Sequence, residues 1–155
     1  MIDCMASTAT QISPFQNPFR NAKVKPDWAQ LTRLGGDRVA ILFEELRTSI
    51  SRIQGLIEEL HFCGPVEGWL PRYRVDNRIL LKVQILPGNL NAMVELDEQH
   101  LNKFLNSAKV AGKVKKWLGT ASIREGIALL RVRLSSRTDI CSLGSFLIRI
   151  SKEQV

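Results

Sequence analysis

The chain has 155 residues, of which 45% are apolar and 24% charged, enough to build one core and too balanced for wholesale disorder. Its net charge of +7 admits anionic partners without specifying one. No apolar run approaches the roughly 18–20 residues of a membrane span. The start of the chain lacks a basic and apolar leader. The three scattered cysteines, Cys4, Cys63 and Cys141, exclude a disulfide framework and fit a reducing, cytoplasmic setting.

Residues 1–26 hold Pro14, Pro18 and Pro26 among polar side chains and show no period, so they read as an extended or flexible N-terminal arm. Phe15 and Phe19 are placed to pin it. A single domain is expected over 27–152. Asp27 to Leu34 reads as a short helical turn with Trp28 and Leu31 inward, broken by Gly35-Gly36. Asp37 is suited to cap a long helix in which Val39, Leu42, Phe43, Leu46, Ile50, Ile53, Ile57 and Leu60 recur at helical spacing, up to Gly64-Pro65.

The period then changes to two. Trp69 to Val75, Arg78 to Leu86 and Leu90 to Leu96 read as three strands joined by Asp76-Asn77 and Pro87-Gly88-Asn89. Asp97 caps a second helix through Leu101, Phe104 and Leu105, continued with a kink near Gly112 to Gly119. Ile127 to Leu134 is a fourth strand, and a last helix begins near Thr138 or Asp139. The expected fold is α+β: a two-layer sandwich with a mainly antiparallel four-stranded sheet, helices on one face, and the order α-β-β-β-α-β-α.

Strand parity assigns faces. Ile79, Leu81, Val83, Ile85, Ala92, Val94 and Leu96 are expected to meet the helices. Lys82, Gln84, Asn91, Met93 and Glu95 fall on the other side. If Arg72, Arg74, Arg131 and Arg133 join them, the open face is basic. It is then either a solvated surface with cross-strand pairs to Glu95 and Asp76, or a site for an anion, nucleic-acid backbone or protein. Lys109, Lys113 and Lys116 form a second basic patch, read on one side of a helix, with no aromatic side chain interleaved.

No catalytic or metal-binding residue is assigned and no cofactor is implied. His61 and Cys63 read as a surface histidine and a structural thiol, and a reactive Cys141 would need exposure beside Asp139. The pairs Glu44-Glu45 and Glu58-Glu59 read as a solvated helix face. Trp69 and Tyr73 share a strand parity with Pro71 between them, which places this strand at an edge or a bulge. They either fill the core or wall a ligand pocket with Arg72 at its mouth.

The order long helix, Gly68-Trp69 with Arg72 and Tyr73, a strand ending at Pro87, strand, helix, strand, helix resembles a small uncharacterised bacterial family, domain of unknown function 3788. The resemblance covers residues 27–150. It implies a compact α+β fold and carries no activity with it. The functional expectation is a non-enzymatic module binding a small molecule or a protein. The alternative is nucleic-acid or anion binding through the basic helix and the arginine face. No membrane association is expected. A homodimer could form through the Pro71 edge and the apolar positions Leu80, Met93, Ile127 and Leu129.

Overall fold

A computed structural model describes residues 17–153. Phe15 and Cys4 lie outside the described residues, as does most of the expected N-terminal arm. Asp27 caps α1 (Trp28–Leu34) by accepting from Gln30 N, while Gln30 returns a bond to Asp27 N. Helix α2 (Asp37–Ile50) follows directly. Its cap position is Gly36, at φ +90°, and Asp37 is its first helical residue rather than its cap.

The long-helix expectation fails at Ile50. Ser51 closes α2, Gly55 turns the chain at φ +77°, and residues 56–62 form the strand β1 (Leu56–Phe62). The apolar positions 50, 53, 57 and 60 fit a helix, but the segment finds a full strand partner and tertiary pairing prevails. A single helical turn, α3 (Gly64–Glu67), leads into β2 (Trp69–Val75), β3 (Arg78–Leu86) and β4 (Asn89–Asp97), the meander that the alternation predicts.

Asp97 caps α4 (Glu98–Leu105) by accepting from His100 N at 2.8 Å. The chain then leaves the helix at Asn106, and α5 (Gly112–Gly119) is a separate helix. A hairpin, β5 (Ser122–Arg124) and β6 (Ile127–Arg133), turns at Glu125-Gly126, where both residues have positive φ. Helix α6 (Arg137–Glu153) ends the described chain.

The fold is α+β; among the described residues the sheet has six antiparallel strands rather than four, in the order β1-β2-β3-β4-β6-β5. Helices α1, α2, α4, α5 and α6 bury their apolar stripes against one sheet face. Strand β6 shows the arrangement most simply: Ala128, Leu130 and Val132 are buried while Ile127, Leu129, Arg131 and Arg133 are exposed. Pro71 lies on β2, an interior strand and not an edge. It is tolerated there because the β2–β3 ladder starts only at Arg72.

A bulge displaces the β2–β3 register between Tyr73 and Arg74, leaving Leu80 as the additional residue of β3. Ile79 therefore turns to the open face, contrary to simple parity, and lines a recess there with Leu80. Among the described residues, no helix is long and apolar enough to cross a membrane.

Candidate functional site

Two adjacent glutamates on β1 organise opposite sides of the sheet. Strand alternation sends Glu58 to the helix side, where it meets Tyr73 across the β1–β2 ladder. The Tyr73 hydroxyl donates to Glu58 Oε2 at 2.7 Å, and Arg47 on α2 grips the same carboxylate through two bonds of 2.7 Å. The Arg47 guanidinium lies 5.1 Å from the ring centre of Trp28 and 5.6 Å from that of Phe43. Burial pushes the Glu58 carboxyl upward, but the bonds from Arg47 and Tyr73 outweigh it and hold it below the ordinary carboxylate range. Burial and the neighbouring carboxylate push the Tyr73 hydroxyl upward, so it stays protonated and acts as a donor.

Glu59 points to the open face and pairs with both Arg72 and Arg74 of the neighbouring strand. Both arginines are therefore engaged, by a residue that sequence reasoning assigned to a helix surface, and the trio keeps one positive charge. Arg74 also donates to the Asp76 carbonyl oxygen at 2.7 Å. The pairing expected with Glu95 does not form.

The free cations stand further along the sheet. Lys82 and Arg131 lie in register on either side of Met93, across β3, β4 and β6. Neither has an ion-pair partner among the described residues. Between them is a recess of about 130 Å³ with Leu80 and Met93 buried in its floor and Glu67, Glu95 and Leu129 on its walls. Arg133 continues the same exposed parity beside Asn91.

The residues expected to form an aromatic pocket do not converge on one. Tyr73 is 1% exposed and belongs to the core. Trp69 instead anchors the chain that precedes α1. Its indole donates to the Asn21 carbonyl at 2.9 Å, its backbone N donates to Phe19 O at 2.8 Å, and Phe62 packs against its ring at 5.6 Å. Asn17, buried and unremarked in the sequence, donates to the carbonyls of Glu67 and Trp69. Arg72 is on the other side of the sheet from both aromatics.

The second basic patch is also divided. Lys109 lies in the loop before α5, Lys113 pairs with Asp139, and Lys116 is exposed on α5. Because α5 buries Val114 and Leu118 in the helix-covered core, its lysines do not extend the surface around Lys82.

The remaining nucleophilic and metal-binding residue types are dispersed. The Cys63 thiol contacts the backbone oxygen of His61 at 3.7 Å rather than its ring, and burial pushes the thiol pKa up. Burial, reinforced by the Arg72 charge, lowers the His61 pKa. His100 Nδ1 lies 2.6 Å from Asp97 Oδ2 on α4's first turn. Among the described residues, no three His, Cys, Asp or Glu side chains cluster to hold a metal ion. Comparison of the chain with family models, with curated proteins and with solved structures finds no match in any of the three.

Proposed function

We propose that the chain is a non-enzymatic, cytoplasmic binding module whose open sheet face takes a small molecule with an apolar body and one anionic end. The observation that carries this reading is the unpaired couple Lys82 and Arg131, set on either side of Met93 over a buried apolar floor. On the same face Glu59 engages both Arg72 and Arg74, so Lys82 and Arg131 are the unpaired cations at the recess itself. A recess of about 130 Å³ suits a head group of a few heavy atoms rather than a whole cofactor. Glu67 and Glu95 on its walls favour a single compact anion over a polyanion, which sets a nucleic-acid backbone behind a small molecule.

Membership of the family that the Gly68-Trp69 segment resembles is part of the same proposal. The segment has a structural rationale here. Gly68 sits at φ +76°, where a side chain would overlap the Phe19 carbonyl, and Trp69 fastens the chain on that side.

The test is a thermal-shift and calorimetric comparison of medium-chain carboxylates with phosphomonoesters, repeated on Lys82→Ala/Arg131→Ala. Binding by one class is expected, weakened at least about tenfold in the double variant through loss of two charge-assisted bonds. Arg72→Ala should leave affinity close to that of the parent. Failure of both classes, or equal binding by parent and double variant, rejects the proposal. Tight binding of single- or double-stranded nucleic acid through these residues would replace it with the polyanion reading.

A further inference from the structure

We infer that the outer surface between α2 and α6 pairs with the same surface of a second copy in a two-fold dimer. The two helices run in parallel and touch closely. Arg38 reaches Ser135 ahead of α6, Glu45 pairs with Arg137 at 2.5 Å, and Ser49 meets Gly144 one turn further on. Their outward faces leave a shallow groove of about 940 Å³ on the side of the molecule away from the open sheet face. Helix surfaces facing water are ordinarily polar. Here Ile41 is 62% exposed, and Cys141 and Ile148 line the same groove.

The distribution of charge selects the occupant. Glu44, Thr48 and Arg52 line the groove at four-residue intervals. Glu44 stands about 6 Å before Thr48 along the helix axis, and Arg52 lies on the other side of Thr48, in the turn just past the end of α2. A two-fold axis through Thr48 therefore brings Glu44 of each copy opposite Arg52 of the other. It also carries Ile41 toward the partner's Ile148 end. Thr48, Ser49 and Ser145 are small enough at the centre for the helices to approach. Arg52 makes no ion pair among the described residues, and Glu44 makes only an exposed pair with Arg47, which Glu58 already holds bidentately. An isologous interface needs this self-complementarity, in which each patch contains both halves of every contact.

Sedimentation velocity of the full chain across micromolar concentrations tests the inference. The expected species is a dimer of the 17.5 kDa chain. Ile41→Asp should give a monomer with an unchanged far-ultraviolet circular dichroism spectrum. Glu44→Arg should raise the dimer dissociation constant at least about tenfold by setting like charges face to face. Glu44→Arg/Arg52→Glu should recover most of that loss, a result that a general surface effect would not produce. A parent protein that stays monomeric, a dimer insensitive to Ile41→Asp, or a charge reversal that restores nothing overturns it. Arg131→Ala should leave the dimer intact, so the dimer and the ligand proposal fail independently.

Discussion

Tyr73 is a core side chain with one polar atom, and its burial is possible because that atom has a charged acceptor. The hydroxyl reaches Glu58, whose carboxylate is also held twice by Arg47, and Arg47 in turn lies over Trp28 and Phe43. Strands β1 and β2, helix α2 and the short helix before it are thus joined through one carboxylate and its arginine. Tyr73→Phe removes the donor without opening a cavity and leaves Glu58 its arginine. The expected cost is about 1.5 kcal/mol, the low end for a bond to a charged group, since Glu58 retains contact with water. Urea unfolding should show the midpoint falling with an unchanged slope, because the surface exposed on unfolding is unaltered.

At the scale of elements, the most extensive packing in the helical layer is between α2 and α6. A β-carbon at Gly144 would overlap Ser49 Oγ and stand 3.1 Å from Ser49 Cβ, so rotating the serine relieves only part of the clash. Gly144→Val should therefore push the helices apart and destabilise the fold by about 1–3 kcal/mol, read from thermal or urea unfolding. Ser49→Gly in the same chain should return part of that loss, which locates the clash at this crossing.

The elements also show what a sequence can reveal. The three-strand meander is legible because Leu81, Val83 and Ile85 alternate with Lys82 and Gln84, and Leu90, Ala92, Val94 and Leu96 keep the same period, with Met93 the one apolar residue of the other parity in β4. Strand β1 is hidden because Ile53, Ile57 and Leu60 continue the helical spacing of α2. Only Gly55 and the run of Thr48, Ser49 and Ser51, poor helix formers, mark the break. That error also conceals Glu59, and with it the shared pairing of Arg72 and Arg74. Strand β5 is three exposed residues with no apolar face to detect, and the bulge at Leu80 has no local signature. The parity of Lys82, Met93 and Arg131 is readable from the sequence, but their adjacency depends on the β3–β4–β6 order, which no local pattern encodes.

For the whole molecule, acid sensitivity follows from where the carboxylates are fastened. Glu58 and Glu59 tie edge strand β1 to its neighbours, Asp97 joins the end of β4 to α4, and Asp139 links α6 to Ser135 and to Lys113 on α5. All four carboxyls are held below their ordinary range. Burial opposes the shift at Glu58, Glu59 and Asp139 and is outweighed by hydrogen bonds from Arg47 and Tyr73, from Arg72 and Arg74, and from Lys113 and Ser135. At Asp97 the backbone bond from His100 dominates.

A depressed folded-state pKa means that the unfolded chain binds more protons in this range, so stability rises with pH there. The contribution is complete above the ordinary carboxylate values of about 4 and is lost as pH falls through the lower folded values. His61, depressed by burial, acts with the same sign but begins to weaken the fold nearer its ordinary value of 6.5. Unfolding free energy from urea titrations should therefore decline gently below neutrality and steeply below about pH 4.5. Asp139 is the most informative of the four because it is 6% exposed and its partner Lys113 lies on a different helix. Asp139→Asn should lower stability at pH 7 and flatten the acid limb, so that parent and variant converge as pH falls. Parallel profiles would show that the acid loss arises at the other carboxylates and that the α5–α6 link carries little of it.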